Sequence, residues 1–356
     1  MSPRPPTLQP VDSKIVPRFA AIATFMRAQR RESARGLDIA MAGVPFDFGS
    51  SNRAGTRHGP AQMREMSRLI RRVHFVTKTA PFEVCRIADI GDAPVNPLDL
   101  MGSLKDIEKF FDRVISAGAV PLAAGGDHTI ALPILRALAK RHGPLGMLQF
   151  DSHSDTHDTL LGHKYNHGTC FRRGVEEGVI DPKRFVQLGI RGTLYSADEH
   201  DWARSQGITI ITIEDFFALG PERTVAETRR VLGPKPSYVT FDIDGLDPIY
   251  APGTGAPEPG GLSVRDAQVV LRGLRGLNLV GADVNEVSPP LDPTGNTALV
   301  GANLMFEELC LLADALQGRR RRVRIGTAQP RVRGVRARRR AAVRARRRAP
   351  RAAGRR

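Results

Sequence analysis

Short apolar runs along this chain alternate with longer stretches in which apolar residues recur every three or four positions. The runs cover 37–44, 84–90, 119–124, 146–150, 185–190, 208–213, 238–243 and 279–284. Each has the length and the continuous hydrophobicity of a strand buried on both faces. The stretches at 60–72, 104–117, 130–141, 223–232, 264–274 and 303–316 carry the spacing of helices that lay one apolar face on a sheet. Alternation of the two predicts right-handed crossovers and a mainly parallel α/β sheet covered on both sides. An open three-layer sheet and a closed barrel both fit this pattern. No internal repeat or linker interrupts it before Gly318. The expected organisation is a flexible segment at 1–16, one large domain at 17–318 and a tail at 319–356.

Polar residues are placed less evenly than apolar ones. Asp151 closes the fourth run, Asp242 the seventh and Glu286 the eighth, while Gly125-Gly126-Asp127-His128 follows the third. In a parallel sheet all of these carboxyl ends open on one edge, where ligands bind between the strand-to-helix turns. Four distant segments are therefore expected to converge.

Composition changes this picture little. Of the 356 residues, 41% are hydrophobic and 25% charged, enough for a sizeable core. Cys85, Cys170 and Cys310 are odd in number and widely spaced, which argues against a disulfide framework or a thiolate zinc site. No long apolar run and no apolar leader stretch is present, so a soluble, cytoplasmic protein is expected. The net charge of +16 suggests a polyanion partner until it is located: 319–356 holds 18 arginines and no acidic residue, leaving the remainder at −2. That tail is expected to be disordered. It reads either as a polybasic arm for nucleic acid or as an inconsequential extension, and no aromatic residue follows Phe306 to stack on bases.

The chemistry lies in the body. Asp151-Ser152-His153-Ser154-Asp155 sets three potential ligands two residues apart, and Asp242-Ile243-Asp244 adds two carboxylates at the same spacing. With His128 this makes four carboxylates and two imidazoles. Left unpaired in one crevice, the carboxylates would repel until some stayed protonated, whereas two divalent cations neutralise them all. Oxygen-rich ligands with two imidazoles and no thiolate favour manganese. His157, Asp158 and His163 lie nearby but break the spacing and are read as peripheral.

These residues resemble the ureohydrolase family of arginase, agmatinase and the guanidino-acid hydrolases. The likeness runs from about Pro17 to Leu316 and includes Gly-Gly-Asp-His at 125–128, Phe-Asp-Ser-His-Ser-Asp at 150–155, Phe-Asp-Ile-Asp-Gly-Leu-Asp-Pro at 241–248, Ala-Pro-Gly-Thr-Gly at 251–255 and Glu-Val-Ser-Pro at 286–289. It implies a three-layer α/β/α fold with an eight-stranded mainly parallel sheet, two Mn2+ per subunit, and attack of a metal-bridging hydroxide on a guanidinium carbon to give urea and an amine. Carried onto this chain, it gives one ion His128 and Asp155 and the other His153 and Asp244, with Asp151 and Asp242 shared. Asp155 would also accept a hydrogen bond from the hydroxide, Glu286 would orient the guanidinium, and His167 would shuttle protons. A homo-oligomer, trimer or hexamer, is implied as well. Ser152 departs from the alanine common at its position, which is expected to alter hydrogen bonding behind the site without abolishing metal binding.

The likeness is strongest to guanidinopropionase and guanidinobutyrase, so a guanidino acid (3-guanidinopropionate or 4-guanidinobutyrate) is the expected substrate, with agmatine as the alternative. Tyr165, Arg172 and Lys164 are candidates for binding an acid's carboxylate because they neighbour His167 in sequence. A single-zinc deacetylase would share the fold, but six ligands plus Glu286 speak against it. Polyanion binding through the tail is the reading from another class.

Overall fold

The computed structural model describes residues 8–327, with side chains through Arg321. Eight strands form one sheet: β1 (Ile39–Gly43), β2 (Ile87–Asp92), β3 (Val120–Ala124), β4 (Leu145–Phe150), β5 (Ile180–Ile190), β6 (Thr209–Thr212), β7 (Ser237–Asp242) and β8 (Leu279–Asn285). Their order is β2-β1-β3-β8-β7-β4-β5-β6. Every pairing is parallel. The barrel allowed by the sequence pattern is thereby excluded, since β2 and β6 end the sheet and do not pair with each other.

Among the described residues nine α-helices accompany the sheet: α1 (Gly59–Met66), α2 (Pro81–Val84), α3 (Leu100–Ser116), α4 (Ala131–His142), α5 (Cys170–Glu176), α6 (Asp201–Gln206), α7 (Ile213–Leu232), α8 (Val264–Gly273) and α9 (Asn296–Thr327). Because successive strand residues point to opposite faces, the core divides in two. Ile39, Met41, Leu148 and Phe150 pack with Met63 of α1, Leu232 of α7, Leu271 of α8 and Leu309 of α9. Ala40, Ala42, Leu145 and Met147 pack instead with Phe111 of α3, Leu135 of α4 and Phe171 of α5. Helix, sheet and helix make three layers.

Several boundaries differ from the pattern-based expectation, each for a local reason. Residue 84 ends a helical turn instead of starting a strand, because Pro81 sits at its first position with φ already preset. Helix α7 starts ten residues early: Thr212 and Asp215 form a capping box, and a kink at Gly220 (φ 76) before Pro221 breaks the apolar period. Residues 8–16, placed in a flexible segment by the sequence, include a buried Leu8 and a Gln9 side chain that donates to the Phe82 carbonyl. At the other end α9 runs through Gly318 to Thr327, so the arginine run begins helical. The disorder expected of the tail otherwise falls on 328–356, outside the described residues.

Candidate metal centre

The four central strands β3, β8, β7 and β4 each deliver part of one polar cluster at their carboxyl ends. After β3 the chain turns on Gly126, where a Cβ would lie 1.8 Å from the Phe46 carbonyl oxygen, so only glycine fits. Asp127 then fixes the turn: its carboxylate accepts from the Thr129 N–H at 3.0 Å and from the Gly49 N–H at 2.8 Å. This sets His128, fully buried, at the bottom of the cluster.

The His128 Nδ1 has carboxylate oxygens of Asp151 and Asp155 at 3.1 Å and of Asp242 at 3.2 Å. None of them meets it in hydrogen-bond geometry, and among the described residues the buried nitrogen has no hydrogen-bond partner. On the far side of the ring Nε2 lies 2.7 Å from the Thr240 hydroxyl, which itself donates to Asp283 at 2.6 Å. Because that hydroxyl spends its proton on Asp283, it accepts from Nε2–H and leaves the Nδ1 lone pair aimed at three oxygens. A lone pair and anionic oxygens converging on one point fit a cation.

A second group lies beside the first. The His153 Nδ1 is 3.2 Å from an Asp244 oxygen and 3.6 Å from the Asp151 oxygen that does not face His128. Asp151 thus presents one oxygen to each half. Ligand-type atoms of His128, Asp151 and Asp155, and likewise of Asp151, His153 and Asp244, all lie within 4.8 Å of one another. All six expected ligand side chains are therefore brought together.

The charge on this cluster is high. Burial, joined by repulsion from Asp244 and Asp151, pushes the Asp242 carboxyl well above its ordinary value, and burial with repulsion from Asp151 raises Asp155. Asp151 goes the other way: burial opposes its ionisation, but His128 and His153, protonated when no cation is bound, outweigh it. Burial and the Glu286 charge raise Asp127 to about 7. Protons hold such a cluster together poorly; two dications remove the repulsion outright.

Glu286 stands above the cluster, with Oε1 accepting from the His128 N–H at 2.8 Å and lying 3.4 Å from the His167 Nδ1. The His167 Nε2 accepts from the Ser51 N–H at 3.2 Å and lies 2.8 Å from the Ser51 hydroxyl. Burial disfavours the imidazolium, but Glu286 outweighs it and lifts His167 to about 9. Both Glu286 (φ 62) and Asp155 (φ 53) adopt left-handed backbone, which is strained for residues with a Cβ and concentrates at functional sites.

These groups open into a cleft of about 330 Å³ whose walls, among the described residues, include Asn52, His157, Tyr195, Glu199 and Glu258, and no lysine or arginine. Tyr165, Arg172 and Lys164 are not brought there. Tyr165 and Lys164 line a neighbouring hollow of about 470 Å³. Arg172 is spent on Glu176 at 3.0 Å and stacks over Trp202. His157, read as peripheral, does line the cleft, 3.7 Å from Glu199. Thr240, Asp283 and Ser51 went unnoticed in the sequence, although a threonine and an aspartate inside fully buried strands are a usable sign of function.

A model of the arginase family matches residues 37–310. The chain belongs to that family. This arginase-family chain is 56% identical over 308 residues to guanidinopropionase of Pseudomonas aeruginosa, a match covering 86% of the chain and 96% of the relative. It is 47% identical over 312 residues to guanidinobutyrase of the same organism, covering 87% and 98%. Among solved structures it superposes on proclavaminate amidinohydrolase from Streptomyces clavuligerus with a TM-score of 0.81 at 39% identity, covering 84% of the chain and 99% of the neighbour.

Proposed function

We propose that this ureohydrolase hydrolyses a guanidino acid of the 3-guanidinopropionate or 4-guanidinobutyrate kind to urea and an amine, with two Mn2+ ions. One is assigned to His128 and Asp155, the other to His153 and Asp244, and both to Asp151 and Asp242. The oxygen-rich donor set supports manganese. When bound, such a pair lowers the pKa of water and stabilises the charge that develops on the attacked carbon's substituents. The observation that carries the reading is the buried His128 Nδ1, partnerless among three carboxylate oxygens.

The remaining steps belong to side chains. A guanidinium is a resonance-stabilised, weak electrophile that must be held in line and lose a protonated amine. Glu286, beside the cluster, offers carboxylate oxygens to the planar N–H fork of the cation. Asp155 accepts a hydrogen bond from the attacking oxygen and orients it. His167 carries a proton on Nδ1 when neutral, because Nε2 accepts from the Ser51 N–H, and passes a proton to the departing amine. The carboxylate at the other end of the substrate is met by neutral donors such as Asn52 and Tyr195 and by His157, since the cleft walls hold no lysine or arginine.

That wall composition also favours a second reading. Glu199 and Glu258 line the cleft and suit the amine of agmatine. Incubating manganese-loaded protein with 3-guanidinopropionate, 4-guanidinobutyrate, agmatine and arginine, with urea as the readout, separates the two. Urea mainly from the acids supports the first, urea mainly from agmatine replaces it, and none from any of the four refutes both. Assembly into a homo-oligomer belongs to the same proposal. It is supported by exposed apolar Leu69, Val73, Phe75 and Val76 on one stretch of surface, and sedimentation tests it. Among the described residues no helix is long and apolar enough to cross a membrane.

A further inference from the structure

The N-terminal segment 10–18 meets residues 70–72 and Phe82 around a cavity of about 220 Å³ that shares no residue with the cleft. Arg27 borders this cavity and is only 4% exposed. Its Nη1 donates to the Val16 carbonyl at 3.0 Å and to the Ser13 hydroxyl at 3.3 Å. Its Nη2 is buried without a hydrogen-bond partner, and among the described residues no carboxylate pairs with this side chain. A buried cation that lacks both an acid and a full set of acceptors is costly, and an anion beside it removes the cost. Four more cations line the same cavity: Lys14, Arg18, Arg71 and Arg72. Asp12 is the one acid there among the described residues; it lies 3.6 Å from the Arg72 Nη2 and accepts from the Lys14 main-chain N–H at 2.8 Å. Five cations against one acid leave four positive charges uncompensated. Among the described residues the Lys14, Arg18 and Arg71 side chains have no partner.

We propose that this cavity binds a small, doubly charged oxyanion of the phosphate or sulfate type, seated against Arg27 and met by Arg18 and Arg71, and that the bound anion fastens the N-terminal segment to the body. The chemistry selects the class. Planar guanidinium forks match the paired oxygens of a tetrahedral oxyanion. Two negative charges can answer cations on both sides of the cavity at once, Lys14 and Arg18 from the segment and Arg71 and Arg72 from the body. Without an anion those two sets repel each other. Apolar burial does little to hold the segment down, since Ile15 is 81% and Phe19 86% exposed. None of these residues belongs to the metal centre or its cleft, so the site stands whether or not the metal-pair reading does.

The test is hydrogen–deuterium exchange of the manganese-loaded full-length chain, with sulfate as the probe and sodium chloride at equal ionic strength as the control. Sulfate at about ten times its dissociation constant slows amide exchange in 10–27 about tenfold, because the segment must release the anion before it opens. Exchange around 150–155 stays unchanged. Arg27→Met keeps an unbranched side chain, removes the charge and loses the response. Arg71→Gln decides the matter if that variant does not fold, since Arg71 is exposed and has no partner to lose; it needs about tenfold more sulfate for the same slowing. No saturable slowing in the native chain overturns the proposal. Equal slowing by chloride, or undiminished slowing in Arg71→Gln, overturns it as well, because sulfate then acts as a general salt or through the arginine run at 319–356 that every variant shares.

Discussion

Whereas the His128 side chain is fully buried and backed by Thr240 and Asp283, the His153 side chain is 37% exposed and sits on a turn held through its main chain by Gln149 and Asp151. The inner half of the centre draws its geometry from sheet strands, since Thr240 lies in β7 and Asp283 in β8, where Tyr238 and Asn285 hold its oxygens at 2.6 Å. The outer half lies on a loop whose main chain is held from the sheet, with Gln149 of β4 donating to the His153 carbonyl and Gln187 of β5 to the Ser154 carbonyl, while no strand side chain bonds the His153 ring among the described residues. Orientation built into a sheet is hard to disturb, while orientation built into a loop depends on single contacts. An ion in the inner half should accordingly be held longer than one in the outer half.

The largest expected effect erases that contrast. Asp242→Asn removes charge from a carboxylate assigned to both halves, so urea release and bound metal fall together, by more than the roughly 100-fold typical of losing an orienting partner. Retained turnover would refute the sharing. Next comes Glu286→Gln, which weakens a charge-assisted hydrogen bond worth about 1.5–3 kcal/mol and lowers kcat/KM about 10–100-fold while two ions remain bound. Thr240→Val cuts the link from His128 to Asp283, and manganese titration should show the inner affinity reduced about tenfold with the outer unchanged.

Legibility in the sequence followed the same division. Strands buried on both faces announce themselves as unbroken apolar runs, and so β3, β4, β7 and β8 lie within one or two residues of their expected bounds. The ligands were equally visible, because a strand end followed by Asp-x-His-x-Asp or Asp-x-Asp has few structural excuses for so many buried charges. Long-range partners were not. Nothing in the segment around Ser51 marks it as the neighbour of His167, 116 residues away. Arg172 lies five residues from His167, yet α5 turns it onto Glu176 and Trp202. Nearness along the chain fixes neither direction nor partner. Ser152 stands out in the sequence, but its hydrogen bond to Asp244, 92 residues away, does not.

The smallest effect concerns protons above the inner half. In metal-free protein His167 is lifted from 6.5 to about 9, with burial opposing and Glu286 outweighing it. Because the folded value lies above the unfolded one, its contribution to stability is complete below about pH 6.5 and is lost as pH rises through about 9. Histidine titration by NMR should show this, and Glu286→Gln should move the midpoint downward. Bound dications should move it downward as well, through repulsion of the imidazolium.

Anomalous diffraction from crystals of the active, manganese-loaded chain tests the paired centre most directly. Two peaks about 3.5–4 Å apart are expected, one against His128 and Asp155 and one against His153 and Asp244, with Asp151 and Asp242 touching both. A single peak, or none at these side chains, would contradict it.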